Sequence, residues 1–137
     1  MNIAILGFGT VGSGVYKIIK NAKRQAQNLH VKHILIRKNK KPDLPEMTDS
    51  IDEILNDKDV DVVVEVIGGI EPAHQYIVDA LKHKKHVITA NKAVIAQYMD
   101  EFTKVLLKMT PSSTLNQASV VGSHGFKVWK EHCESTM

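Results

Sequence analysis

A glycine-rich segment at the start of the chain constrains the fold most strongly. Gly7-x-Gly9-x-x-Gly12 follows the apolar run at residues 3–6, and apolar side chains then recur at helical spacing over residues 11–22. The glycines therefore lie on a turn between a strand and a helix, the context in which this spacing predicts dinucleotide binding. There Gly7 permits a tight turn, Gly9 lets the backbone approach a pyrophosphate, and Gly12 lets the helix pack close to the strand. The partial positive charge at the helix N-terminus favours phosphate.

The length and composition of the chain fit one globular domain. A chain of 137 residues has the length of a single domain, and 43% hydrophobic with 24% charged residues is an ordinary composition. No apolar run approaches the roughly 20 residues that cross a bilayer, and the start of the chain lacks the basic stretch of a signal peptide. The single cysteine, Cys133, cannot form an internal disulfide, so we expect a cytoplasmic protein.

Charge and histidine spacing argue against several classes of partner. The net charge of +3 is too small to indicate nucleic-acid binding, and no membrane partner is expected. The histidines lack the spacing of metal ligands joined to a carboxylate or a cysteine pair, so we expect no metal site. We interpret them as surface or core residues.

Apolar runs alternate with helical patterns along the chain. The runs that predict strands are at residues 3–6, 31–36, 60–67, 86–89 and 115–121. Residues 38–49 are polar and predict a loop, whereas Ser50-x-x-Glu53 predicts a capping box at the start of a short helix. A terminal helix is predicted at residues 125–134. We expect an α/β fold, a Rossmann-type doubly wound parallel sheet in a single domain, with strand order 3-2-1-4-5.

Ligands of open α/β sheets bind at the carboxyl ends of the strands, where several candidate residues fall. Arg37 and Lys38 follow the second strand, and no acid occurs between Gly12 and Asp43 to hold the ribose 2′-hydroxyl of NAD. Two cations in this place suit a 2′-phosphate, which favours NADP over NAD. The alternative is a solvated basic loop.

Two other strand ends carry candidates that each have a structural alternative. Gly68 and Gly69 end the valine-rich strand, either at a ligand crevice or as a simple turn. Glu65, inside that strand, lies on the ligand side or is structural, because a buried carboxylate needs a partner. Lys92 begins a helix, where a cation is unfavourable unless an anionic or carbonyl-bearing ligand compensates; otherwise it is a surface lysine. Asn91 can cap the same helix.

Three segments, taken together, resemble the homoserine dehydrogenase family. Residues 5–14 (ILGFGTVGSG) resemble the cofactor loop of that family, and residues 64–73 (VEVIGGIEPA) and 86–93 (HVITANKA) resemble its second and third signatures. The resemblance implies a nucleotide-binding domain that uses NADP or NAD. It also implies oxidoreduction between L-homoserine and L-aspartate 4-semialdehyde, on the route to threonine and methionine.

The resemblance also implies roles for individual residues. It assigns pyrophosphate contacts to Phe8, Thr10 and Val11. It assigns the adenosine ribose or its phosphate to Arg37, and the nicotinamide side to Lys92, which is the candidate catalytic residue. The full set of candidate cofactor-binding residues is Gly7, Phe8, Gly9, Thr10, Val11, Gly12, Arg37, Lys38, Ile67, Gly68, Gly69, Asn91 and Lys92.

The chain departs from the family after its nucleotide-binding segments. Residues 117–126 resemble the start of the family's substrate domain, but Gln117 stands where glutamate is expected, and a glycine pair and a proline are missing. We therefore expect a dinucleotide-binding domain at residues 1–121, and at 122–137 a remnant of the substrate domain or a C-terminal helix. Such a chain is not expected to catalyse the reaction alone. The alternative is a stand-alone NADP(H)-binding or sensing module.

An apolar face near the end of the sequence suggests how such a chain would associate. A surface that normally packs on a second domain favours a homo-oligomer, or pairing with a separate substrate domain. The residues of this predicted face are Val120, Val121, Phe126 and Trp129.

Overall fold

The structure, a computed structural model, describes residues 1–22, 28–40 and 43–109, and the backbone of two strands at 120–122 and 127–128. In these residues the helices are α1 (Thr10–Asn21), α2 (Ile51–Asn56), α3 (Ala73–Lys82) and α4 (Lys92–Met109). The strands are β1 (Asn2–Leu6), β2 (His30–Leu35), β3 (Met47–Thr48), β4 (Val62–Glu65), β5 (His86–Thr89), β6 (Val120–Gly122) and β7 (Lys127–Val128).

The strands of the described residues form one sheet in the order β3-β2-β1-β4-β5-β6-β7. Neighbouring strands from β3 to β6 run parallel, and β7 runs antiparallel to β6. This is the predicted α/β Rossmann-type fold, but the assignment of strands to positions was wrong. The prediction counted the valine-rich strand third and placed it outside β2, whereas β4 lies beside β1. The position outside β2 is occupied by Met47–Thr48, which lies inside the predicted loop. The sequence did not predict this strand because two residues are too few to produce a strand pattern.

The predicted terminal helix at 125–134 is wrong at Lys127–Val128, which pair with β6 as a strand. A short apolar run fits either element, and here the edge of the sheet decides between them. The other residues of that predicted helix lie outside the described residues, as do residues 115–119 of the last predicted strand and the side chains of the predicted docking face.

The helix after residue 50 begins where the sequence predicts, but without the hydrogen bonds of the predicted capping box. Ser50 precedes α2, yet its side chain makes no capping hydrogen bond. Instead the Thr48 hydroxyl donates to Glu53 Oε2 at 2.6 Å and accepts from the Ser50 N–H at 3.1 Å. The Thr48 hydroxyl of β3 therefore accepts the Ser50 N–H, which the capping box assigned to the Glu53 side chain.

Apolar side chains cover both faces of the sheet. On one face, α3 and α4 bury Ile77 and Phe102 against Leu6 and other alternate residues of the parallel strands. On the other face, α1 packs Val15 and Ile19 onto a second cluster that contains Ile5. Burial on both faces explains why the central strands read as nearly continuous apolar runs.

Candidate functional site

The turn between β1 and α1 is built on two glycines that tolerate no side chain. Gly7 has a φ of +102°, a conformation that L-residues rarely adopt. A Cβ on Gly12 would lie 2.1 Å from the Gly7 carbonyl oxygen, far inside van der Waals contact. The first turn of α1 therefore packs directly on the strand end, and the Gly7 N–H, which donates to Leu35 O at 3.1 Å, fixes this turn to the end of β2.

Gly9, immediately before α1, differs from its two partners because a Cβ built on it meets no atom within 4 Å. It precedes the helix without a side-chain cap, and the first turn of α1 carries no acidic residue. Thr10 and Val11 are exposed at this helix start, and Phe8 packs its ring edge-on against Tyr16 at 5.8 Å between ring centroids. Open space in front of uncapped N–H groups suits a phosphate.

The end of β2 brings two cations next to this turn. Leu35 accepts the Gly7 N–H, and Arg37 and Lys38 follow it with exposed side chains. The Lys40 N–H donates to Arg37 O at 3.0 Å, which turns the chain back just past the strand. The structure thus brings the glycine turn and the two basic side chains to the same corner of the sheet.

The loops after β4 and β5 meet on the other side of the glycine turn. Gly68 and Gly69 both have positive φ, +81° and +74°, and are exposed. The Asn91 side chain donates to Gly69 O and accepts the Val94 N–H at 3.3 Å, so it caps α4 and holds the glycine pair at the same time. Lys92, the first residue of α4, is exposed beside them.

Glu65, for which the sequence left two roles open, is fully buried and hydrogen-bonded within the protein. Its side chain is 0% exposed at the end of β4. Oε1 accepts the Ile67 N–H at 2.8 Å, and Oε2 accepts the Thr89 hydroxyl at 2.6 Å. The Thr89 oxygen in turn accepts the Asn91 N–H at 3.0 Å. Sequence reasoning gave Thr89 no role, although a hydroxyl at a strand end, two residues before a helix cap, was an available signal.

His74, in the first turn of α3, was interpreted as an ordinary surface or core residue. Its ring lies between two carboxylates, with Nδ1 2.7 Å from Glu71 and Nε2 2.9 Å from Glu101. Tyr98 stacks on it at 3.7 Å between ring centroids, at the non-helical residue inside α4. Burial lowers the pKa of His74, but the two glutamates outweigh it and raise the pKa above its usual value. This contact joins α3 to α4 just behind the Gly68–Gly69 loop.

A separate ionic cluster lies at the amino ends of the central strands, away from the candidate site. Hydrogen bonds from Lys32 and His33 hold the pKa of Asp57 well below its usual range. Lys85, 4% exposed, donates to Asp57 O at 2.7 Å and to Val60 O at 3.0 Å, and burial lowers the pKa of its ammonium group. A cavity of about 730 Å³ at the amino ends of the strands is lined by none of the predicted site residues. The cluster therefore belongs to the scaffold.

The described residues also lack two kinds of feature. None of the described helices is both long and apolar enough to cross a membrane. No group of three histidine, cysteine, aspartate or glutamate side chains in the same part of the chain is arranged to hold a metal ion.

The glycine turn and the loops after β2, β4 and β5 form the candidate site, which we call the crevice. Together with the fold, this crevice defines a dinucleotide-binding domain of the Rossmann type. Comparison with known proteins then gives its family. The family described as "Homoserine dehydrogenase, NAD binding domain" matches residues 7–109. The chain belongs to this family, as the three sequence signatures predicted, and the family description is of a domain that binds a nicotinamide adenine dinucleotide.

Individual relatives agree with this family. The homoserine dehydrogenase of Bacillus subtilis (strain 168) is 43% identical over 111 residues, which are 74% of this chain and 26% of that protein. A crystal structure of S. aureus homoserine dehydrogenase has 40% identity and a TM-score of 0.73, covering 91% of this chain and 32% of the other. The homoserine dehydrogenase from Thiobacillus denitrificans has 28% identity and a TM-score of 0.69, covering 89% and 28%. The chain thus spans between a quarter and a third of the length of these relatives.

Proposed function

We propose that this chain binds NADP(H) in preference to NAD(H) and supplies the cofactor side of hydride transfer between L-homoserine and L-aspartate 4-semialdehyde. The observation that carries the preference is the pair of exposed cations, Arg37 and Lys38, beside the glycine turn. No acid stands between Gly12 and Asp43, so the place of a ribose-binding carboxylate is taken by positive charge. Each charge-assisted hydrogen bond to a 2′-phosphate contributes about 1.5–3 kcal/mol.

The geometry of the glycine turn supports the pyrophosphate half of the proposal. A side chain on Gly9 would point into open space rather than into the protein, so this space is available to a ligand. The uncapped N–H groups of the first turn of α1 donate to the phosphate oxygens. Thr10 and Val11 present these N–H groups, and Phe8 lines the approach to them. The dinucleotide itself supplies or accepts the hydride.

Lys92 is proposed to hold a carbonyl or anionic oxygen at the nicotinamide side. A lysine at the start of an 18-residue helix opposes the helix dipole, and an oxygen ligand compensates that cost. Ile67, Gly68 and Gly69 form the adjacent wall of the crevice, and Asn91 fixes that wall to α4. The proposed catalytic role of Lys92 is limited to orienting this oxygen, and the substrate comes from outside the described residues.

The cofactor preference is tested with one arginine and a matched lysine. Arg37→Ala should weaken NADPH binding by about 10-fold to 100-fold, because 1.4 kcal/mol corresponds to one factor of ten. NADH binding should change by less than about 3-fold, since it lacks the 2′-phosphate. Lys58→Ala removes one positive charge at the amino ends of the strands, away from the glycine turn, and should leave the affinities for NADPH and NADH unchanged. Titration calorimetry measures both cofactors on wild type and on each variant, and equal losses for the two cofactors in Arg37→Ala would refute the preference.

Turnover is tested separately from binding. Hydride transfer needs the substrate held against the nicotinamide, and the segment at residues 117–126 departs from the family pattern at that point. We therefore expect these 137 residues to bind NADPH without homoserine-dependent reduction of NADP. This is the behaviour of a cofactor-binding or sensing module that pairs with a substrate domain. Homoserine-dependent reduction of NADP by the purified chain would contradict this expectation. If the chain bound neither NADPH nor NADH at millimolar concentration, the proposed function as a whole would be refuted.

A further inference from the structure

Glu65 and Thr89 are two buried polar residues that sit side by side at the carboxyl ends of β4 and β5. They are register partners in the parallel pair, and they are 0% and 1% exposed. The other residues of β4 are all valines, so an apolar pair at this place would fill the sheet at no cost of desolvation. Burying a carboxylate and a hydroxyl destabilises the fold unless both are hydrogen-bonded. Their presence therefore calls for a role beyond filling the core.

Their hydrogen bonds run from one crevice loop to the other. The Ile67 N–H donates to one carboxylate oxygen of Glu65, and the Thr89 hydroxyl donates to the other. Because the single hydroxyl proton of Thr89 is committed to Glu65, its oxygen is free to accept the Asn91 N–H. The Asn91 side chain then donates back to Gly69 O. We call these three side chains, Glu65, Thr89 and Asn91, the relay.

The relay closes a ring around the wall of the crevice. Its two ends, the Ile67 N–H and the Gly69 carbonyl, lie on either side of Gly68 in the same loop. Gly68 and Gly69 have positive φ and, as glycines, little conformational preference of their own, so the relay determines where this loop stands relative to α4. The adjacent backbone bond from the Ala90 N–H to Glu65 O at 3.2 Å holds the strands but not the loop.

The position of the relay relates it to one half of a dinucleotide. The glycine turn after β1 suits the pyrophosphate, and Arg37 after β2 suits the adenosine ribose phosphate, so the nicotinamide half extends over β4 and β5. Resting on the proposed function, we infer that Glu65 and Thr89 are positioning residues that hold the Gly68–Gly69 loop against the start of α4 and so shape the site of the nicotinamide half. They act through Asn91 and the loop and touch no cofactor atom.

The test compares the whole cofactor with its adenosine half. Thr89→Val keeps the shape of the side chain but can neither donate to Glu65 nor accept from Asn91. It should weaken NADPH binding by about 10-fold or more and change binding of adenosine 2′,5′-bisphosphate by less than about 2-fold. Thr89→Ser restores the hydroxyl and should bring NADPH affinity back to within about 3-fold of wild type.

A second threonine provides the matched control. The Thr103 hydroxyl donates to Met99 O at 2.9 Å within α4, remote from the crevice, so Thr103→Val removes one hydrogen bond of similar kind. Both ligands should bind to it as to wild type in calorimetry, with urea unfolding recorded for every variant. Equal losses of the two ligands in Thr89→Val would reduce the relay to a structural role and overturn the inference, as would equal affinity of the wild type for both. A wild type that binds neither ligand would instead defeat the proposed function.

Discussion

The contact between Gly12 and Gly7 provides the sharpest quantitative prediction for this fold. Gly12→Ala places a Cβ 2.1 Å from the Gly7 carbonyl oxygen and 3.0 Å from its carbon. Both atoms are backbone atoms of a turn that is hydrogen-bonded to β2, so no flexible side chain can move aside. The first turn of α1 must therefore shift away from the strand end by roughly 1 Å to restore an ordinary contact.

Two opposing terms set the size of the effect. Overpacking of a tight contact costs about 1–3 kcal/mol and occasionally more. Replacing a helical glycine with alanine contributes about 1 kcal/mol in the other direction, because the unfolded chain loses conformational freedom. Because the clash here is with backbone, the steric cost lies in the upper part of that range, and after the helical term is subtracted we expect Gly12→Ala to lower the free energy of unfolding by about 1–2 kcal/mol.

Gly14, two residues further along the same helix, is the matched control. A Cβ on Gly14 meets no atom within 4 Å, so Gly14→Ala should gain the helical term alone, about 0.5–1 kcal/mol. Urea unfolding followed by far-UV circular dichroism measures both variants under identical conditions. The two midpoints should move in opposite directions from wild type. A Gly12→Ala protein that unfolds at or above the wild-type midpoint would refute the packing role assigned to this glycine.

Three further stability predictions follow from the ionic contacts. His74→Gln should cost about 0.5–1 kcal/mol more at pH 6 than at pH 8.5. Because the pKa of His74 is raised in the folded state, its contribution to the free energy of unfolding is complete below the pKa of the unfolded state. It is lost as the pH rises through the pKa of the folded state, and equal urea midpoint shifts at the two pH values would contradict this. Asp57→Asn should cost about 1–2 kcal/mol at pH 6. Because the pKa of Asp57 is depressed, that cost should shrink as the pH falls below about 4, and a constant cost in acid would count against its pairing with Lys32. Lys85→Met should cost about 1–3 kcal/mol, because the carbonyls of Asp57 and Val60 lose their buried donor; a midpoint like that of wild type would exclude this role.

Much of the architecture is readable from local patterns. The glycine spacing after an apolar run predicted a turn between a strand and a helix, and β1 and α1 lie on either side of it. The alternation of strands and helices predicted a parallel sheet, because parallel strands need a crossover between them. The prediction brought the candidates to the carboxyl ends of the strands, but it did not place β4 beside β5, the arrangement that makes the Gly68–Gly69 loop and Asn91 neighbours.

Other features escaped because local pattern carries too little signal for them. The two-residue strand β3 and the strand β7 depend on a neighbouring edge that offers free hydrogen-bonding groups, and pairing overrides intrinsic preference at such short lengths. The capping box predicted at α2 does not form for a similar reason, since β3 brings the Thr48 hydroxyl within reach of the Glu53 side chain. Propensity alone does not contain this proximity.

The sequence by itself determined the class of this protein: a glycine turn, basic residues after the second strand, and three family signatures in order. The sequence did not determine the hydrogen-bond partners of the buried polar side chains. Glu65 and Thr89 lie 24 residues apart in the chain, and Asn91 and Gly69 lie 22 apart. Only the parallel register of β4 and β5 makes them partners. A buried carboxylate takes its role from whichever donors the register brings to it, and register is a property of the whole sheet rather than of any local segment.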